Sequence, residues 1–273
     1  MRILLTNDDG IGAEGLAALE RIAANLSQDV WIVAPEVEQS GASRAMTFAE
    51  PVRVRKLGPR KFAVSGTPTD CVVLAVSDLI EGAKPDLVLS GVNRGENAGE
   101  DISMSGTVAG AIEGMVLGIP SIALSQSADY TREEHPARFE TAEAHAPGVI
   151  ARLIQLGWPK GVVINLNFPD RLPDEVSQVE VTRQGFRDIH NLNAERRTDL
   201  RGRDYYWMGF FGRSAPLVEG TDLKAILEGR ISVTPIHIDL THMQTVHDLK
   251  AVLGGALPAF RPPIGTGAAG SRR

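Results

Sequence analysis

The chain has 273 residues, long enough to bury a large core, and its 43% apolar and 23% charged content is that of an ordinary soluble globular protein. A formal net charge of −6 argues against the broad basic footprint of a nucleic-acid polymer binder, while leaving room for one small anion in a local pocket. With Cys71 as the one cysteine, a short apolar start and no run near the roughly 20 residues of a membrane span, the reading is a cytoplasmic protein without disulfides, thiolate clusters or a membrane partner.

Residues 3–5 read as a buried strand, and residues 14–26 as a helix with Leu16, Leu19, Ile22, Ala23 and Leu26 at helical spacing. Residues 30–33 form the next strand. Residues 52–55 and 61–64 flank Gly58-Pro59 as a hairpin. A helix over 69–80, a strand over 86–90, a helix over 107–117 and a strand over 121–125 follow. A long helix over 135–156, interrupted or kinked near Pro147, precedes a strand over 162–166. Strands that alternate with helices predict an α/β fold, a doubly wound and mostly parallel sheet of Rossmann-like type.

The pattern changes after about residue 169. Strands over 179–182 and 205–210 are separated by a polar stretch, 191–203, rich in arginine and glutamate. A longer alternating strand over 231–239 and a short helix over 245–253 complete the ordered chain, and 261–273 reads as a disordered Pro/Gly/Ala-rich tail. One domain over 1–260 is expected, with a core over 1–169 and a smaller β-rich extension over 170–260. That extension is too thin to form its own core, which points to a homodimer or homotetramer built through it.

Ligands of doubly wound sheets bind beyond the carboxyl ends of the strands. The first strand ends in Asn7-Asp8-Asp9-Gly10, the second leads to Gln39-Ser40-Gly41-Ala42-Ser43, and the strand over 86–90 runs into Gly91-Val92-Asn93-Arg94-Gly95 and on to Asn97. Adjacent carboxylates repel unless a cation or hydrogen-bond donors compensate, and all-oxygen donors suit a hard divalent ion such as Mg²⁺ or Mn²⁺. A plain turn followed by a helix cap is the alternative for residues 7–10. Ser105-Gly106-Thr107 opens an apolar helix, either as an anion site or as an ordinary Ser/Thr cap. Arg44 and Arg94 lie in the same loops, each either solvated or clamping a phosphate. The phosphate-binding G-x-x-x-x-G-K-[ST], the dinucleotide G-x-G-x-x-G after the first strand and the G-x-S-x-G elbow are all absent, and the six histidines are scattered.

These segments resemble the SurE (survival protein E) family of 5′/3′-nucleotidases. The matching stretches are RILLTNDDG at 2–10, APEVEQSGAS at 34–43, GTPTDC at 66–71, PDLVLSGVNRGENAG at 85–99, SGTVAGAIEG at 105–114 and VINLNFP at 163–169, followed by RGRDYYW at 201–207 and EGRISVTPIHIDLT within 221–241. The resemblance implies one divalent metal ion per subunit held by Asp8, Asp9, Ser40 and Asn93, with Asn97, Ser105, Gly106 and Thr107 facing phosphate. It implies a phosphomonoesterase acting on nucleoside 5′- and 3′-monophosphates, and a dimer or tetramer with exchanged C-terminal segments. Asp8 and Asp9 are the catalytic candidates, and no dedicated general acid or base is assigned. Two other readings compete. A haloacid-dehalogenase-type phosphatase calls for an aspartate two positions after Asp8, where Gly10 stands. A non-catalytic nucleotide sensor has no need of paired carboxylates.

Overall fold

The computed structural model describes residues 1–128, 137–187, 192–210 and 217–255. Met1–Ile238 forms one compact unit. It begins with β1 (Arg2–Thr6), α1 (Glu14–Ala24), β2 (Asp29–Pro35), the β3 (Val54–Gly58) and β4 (Lys61–Val64) hairpin, and α2 (Pro68–Leu74), which continues into a π-helical turn. Next come β5 (Leu87–Arg94), a 3₁₀ turn at Gly99–Ser103, α3 (Gly106–Val116), β6 (Ser121–Gln126), α4 (Phe139–Leu156) and β7 (Val163–Phe168). The unit closes with β8 (Val179–Val181), β9 (Leu192–Thr198), β10 (Asp204–Phe210), α5 (Asp222–Leu227) and β11 (Ile231–Ile236).

Nine strands form one sheet in the order β3-β4-β2-β1-β5-β6-β7-β11-β8. The six from β4 to β7 run parallel, whereas β3 is antiparallel to β4, and β11 and β8 are reversed relative to β7. Alternation along each strand feeds both faces. Ile3 and Leu5 of β1 join Leu16, Leu19 and Ile22 of α1 and Ala142, Ala146 and Ile150 of α4 in one core. Leu4 points the other way, into a layer with Trp31, Val33, Phe62, Cys71 and Val72. Each fully buried large aliphatic side chain contributes roughly 1.5–3 kcal/mol, so covering both faces sustains a sheet of nearly continuous apolar strands. On the second face α3 lies close to the sheet because Gly110 and Gly114 face Ser90 and Ser121; a Cβ at either would come within 2.8 Å or less of a serine oxygen.

The sequence reading needs correction in four places. The polar stretch 191–203 contains a strand, β9, paired antiparallel with β10 from Leu192↔Phe210 to Thr198↔Asp204. This ribbon is a two-stranded sheet of its own, held by backbone hydrogen bonds and by cross-strand contacts such as Thr198 Oγ1 to Asp204 Oδ1 at 2.8 Å, and its residues 194–198 and 204–208 are exposed, so no burial imposes apolar alternation on them. Strand β11 ends at Ile236 rather than 239, because its partner β7 begins at Val163. Helix α4 starts at Phe139 and runs without a break past Pro147; the expected start at His135 lies outside the described residues. Helix α5 was missed because it is six residues long and is set by the Thr221 cap rather than by periodicity.

Residues from Asp239 form a second, small unit whose described part is α6 (Met243–Leu253), capped by the His242 side chain accepting from Thr245 N at 3.3 Å. The expected disordered tail, 261–273, lies outside the described residues. No helix among the described residues is long and apolar enough to cross a membrane.

Candidate active site

Because β2, β1 and β5 are parallel neighbours, their carboxyl ends deliver three loops to one edge. The turn after β1 is closed by Asn7, whose Nδ2 donates to Gly10 O at 2.9 Å, with Gly10 at φ +101°. The loop after β2 is tied to that turn by Gln39 N donating to Asp8 O at 2.7 Å and by Ile11 N donating to Pro35 O at 2.7 Å. The register of β5 against β6 slips between Ser90 and Asn93, a bulge that brings the Asn93 side chain toward α3.

Asp8 is 4% exposed. Its carboxylate accepts hydrogen bonds from both the hydroxyl and the backbone N–H of Thr107, so it holds the N-terminus of α3 from across the sheet edge. Thr107 Oγ1 also lies 3.3 Å from Asn93 Oδ1. Asp9 accepts from the backbone N–H of Arg94 at 3.4 Å. Ser40, exposed on its loop, donates to Glu38 Oε1 at 2.7 Å. Asp8, Asp9, Ser40, Asn93, Asn97 and Ser105 all line one cavity of about 730 Å³, together with Glu38, Glu96, Asp101 and Arg94.

Three expected anion contacts have partners of their own. The Thr107 hydroxyl is buried against Asp8 and does not face the cavity, and Ser105 caps α3 by accepting from Val108 N at 3.0 Å. Arg44 does not line that cavity: exposed on its loop, it binds Glu113 of α3 through Nε at 3.1 Å and Nη2 at 2.8 Å. Asn97 is held from behind, its N–H donating to Asn167 Oδ1 and its Nδ2 to Ser125 Oγ, both at 2.9 Å, while its carbonyl accepts from Asn165 Nδ2 at 2.7 Å. The sequence reading missed Asn165, Asn167 and Ser125. Two asparagines at i and i+2 inside an otherwise apolar buried strand were the available signal.

The cavity is electrostatically incomplete. Burial pushes the Asp8 carboxyl up, opposed by the two Thr107 bonds. Burial, followed by the Asp8 charge beside it, pushes Asp9 up to about 6. Asp101 and Glu96 on the walls are paired with Arg187, so the charge that calls for a counter-cation is that of the adjacent Asp8 and Asp9 carboxylates, with Glu38 beside them. Among the described residues no three His, Cys, Asp or Glu side chains gather as a ligand set. Two carboxylates with neutral Ser40 and Asn93 oxygens fit a hard divalent ion that keeps waters.

A pH effect follows for the metal-free chain. A carboxylate whose folded pKa is raised from 3.8 to about 6 disfavours the fold above that value. Asp9→Asn is therefore expected to stabilise the metal-free protein at pH 7.5 by on the order of 1–2 kcal/mol, discounted for the partial exposure of the group. The gap to wild type shrinks as pH falls through about 6. Thermal melts of both proteins in EDTA at pH 7.5 and 5.5 check this; a gap that widens on acidification would contradict it.

Fold and cavity define a doubly wound α/β protein with a carboxylate-bearing, oxygen-rich cleft at its sheet edge. The family model described as survival protein SurE matches residues 3–191. The chain is 69% identical over 258 residues to a protein of Caulobacter vibrioides (strain NA1000 / CB15N) named 5′-nucleotidase SurE, covering 94% of this chain and 98% of that one. It is 52% identical over 263 residues to a protein of the same name from Parvibaculum lavamentivorans, covering 96% and 95%. The crystal structure of a SurE protein from Aquifex aeolicus superposes with a TM-score of 0.78 at 39% identity, covering 92% of this chain and 99% of that one. The chain belongs to the SurE family.

Proposed function

We propose that this chain is a divalent-metal-dependent 5′-nucleotidase that converts nucleoside monophosphates to nucleoside and phosphate and also accepts 3′-monophosphates. The observation that carries the reading is the pair of buried Asp8 and half-buried Asp9 facing a cavity beside the N-terminus of α3. The relatives named 5′-nucleotidase SurE, matched over nearly their whole length, support it.

Asp8, Asp9, Ser40 and Asn93 would hold one Mg²⁺ or Mn²⁺ ion, which supplies charge neutralisation and Lewis acidity at the phosphate. Thr107 fixes Asp8 rather than touching substrate. Ser105 and Gly106, at the start of α3, present the helix N-terminus to phosphate oxygens, and Asn97, braced by Asn165 and Asn167, orients them from the side. Water adds to phosphorus as the bond to the nucleoside oxygen breaks; one water proton goes to that oxygen, so the nucleoside leaves as an alcohol, and the other stays on the phosphate.

A terminal monoester offers a free dianion to such a site, whereas a diester carries an extra substituent and one charge less. The decisive measurement is kcat/KM for a 5′-monophosphate, a 3′-monophosphate and a dinucleotide diester under one metal condition. Both monophosphates are expected to exceed the dinucleotide by roughly 10²-fold or more. A preferred dinucleotide would make this a nuclease site.

The enzyme works in the cytoplasm, away from membranes and nucleic-acid polymers, as a homodimer or homotetramer. The β9–β10 ribbon supports the assembly, since it leaves Tyr205, Tyr206, Trp207 and Met208 exposed. Light scattering is expected to give a multiple of the 29.3 kDa chain mass at micromolar concentration, and a monomer there would end the assembly claim.

A further inference from the structure

A second cavity, of about 330 Å³, adjoins the carboxylate-lined one, and the two share Glu96. Its walls differ in character. Leu217, Leu223, Ile226 and Leu227, on α5 and just before it, are apolar, whereas Ser127 and Arg187 bring polar groups. Arg187 lines the second cavity and reaches toward the shared Glu96. Its guanidinium pairs with Asp101, which lines the first cavity, donates to Ala98 O at 3.0 Å and stands 3.4 Å from Glu96 Oε1. Its charge is thus engaged by carboxylates, and Arg171, also on this cavity, donates to Asp170 O at 2.9 Å.

Glu96 keeps acceptor capacity. Oε2 receives Ser127 Oγ at 2.9 Å and Oε1 has the long Arg187 contact, while a carboxylate offers about four lone-pair sites. A ligand that reaches from the first cavity into the second therefore passes an acceptor-only group and then meets apolar side chains together with the polar Ser127, Asp170, Arg171 and Arg187.

We propose that this second cavity receives the ribose and base of the nucleotide, with Glu96 accepting hydrogen bonds from the sugar hydroxyls at the junction. The inference rests on the nucleotidase reading above. A planar base has apolar faces and polar edges, which match the two kinds of side chain. The volume lies at the low end of small-ligand sites, roughly 300–1,000 Å³, and suits one nucleoside rather than a chain of them.

The test is a change of specificity. Leu227 is 63% exposed at the end of α5, so Leu227→Trp enlarges a side chain on the cavity without overfilling the core. The ratio of kcat/KM for AMP to that for p-nitrophenyl phosphate is expected to fall at least about ten-fold, mainly through KM for AMP. Binding of AMP to the metal-free protein in EDTA is expected to weaken in parallel, with the thermal midpoint near that of wild type. Glu96→Gln is expected to bring the AMP to 2′-deoxy-AMP ratio toward one. If wild type hydrolyses AMP and both ratios stay unchanged in the variants, the base goes elsewhere; the subsite is then wrong and the nucleotidase reading stands. If p-nitrophenyl phosphate hydrolysis falls in step with AMP hydrolysis, Leu227 acts through the fold and the subsite is overturned. If wild type hydrolyses neither substrate, the nucleotidase reading itself fails and the subsite with it.

Discussion

Asp8→Asn is expected to abolish phosphatase activity while leaving a folded protein that, without metal, melts at a higher temperature than wild type. The two effects share one cause. Asp8 is buried, and burial outweighs the two Thr107 bonds in setting its proton affinity, so its negative charge disfavours the metal-free fold at neutral pH. An asparagine oxygen still accepts from the hydroxyl and N–H of Thr107, which keeps the anchor on α3. It supplies no charge. The loss of a carboxylate ligand removes several kcal/mol of charge stabilisation at the phosphate, a fall in kcat/KM of roughly 10³-fold or more. Thermal melts with and without Mn²⁺ supply the second readout: the upward shift that metal gives wild type is expected to vanish in the variant. Near-wild-type turnover at saturating metal would remove Asp8 from the site.

The sequence made the central sheet legible because its strands are short apolar runs bounded by turn residues, as at residues 3–5 and 121–125, and both recur within β1 and β6. The loops at its carboxyl edge were legible for a related reason: parallel topology brings the ends of β1, β2 and β5 together, so Asp8, Asp9, Ser40 and Asn93 reach one cavity. What was hidden depends on pairings between distant segments. Residues 194–198 of β9 and 204–208 of β10 are all exposed, so no burial imprints alternation on them. Arg44 reads locally as either solvated or clamping a phosphate, and nothing local points to its partner Glu113, 69 positions away on α3. Thr107 looked like a phosphate contact, because no local pattern shows that its hydroxyl meets Asp8, 99 positions earlier.

The same long-range contact makes a single methyl group costly. A Cβ at Gly106 would lie 2.8 Å from Asp8 Cβ and 2.9 Å from Asp8 Oδ2, closer than real Cβ contacts allow, and 3.2 Å from Asp8 Cγ. Asp8 has little freedom to yield, since Thr107 holds its carboxylate and Gln39 N binds its carbonyl at 2.7 Å. Gly106→Ala therefore moves either the carboxylate or the first turn of α3. Overpacking of this kind costs about 1–3 kcal/mol, partly offset by the better helix propensity of alanine, about 0.5–1 kcal/mol. The stability change is thus modest. The kinetic change is not, because a displacement near 1 Å at a catalytic group can cost roughly 10²-fold in rate. The expected result is a fall in kcat of about that size with only a small drop in melting temperature. Gly12→Ala is the matched control: it sits four residues after Asp8, and a Cβ there meets nothing within 4 Å. If Gly106→Ala and Gly12→Ala turn over nucleoside monophosphates equally well, the contact between α3 and Asp8 does not set the geometry of the site.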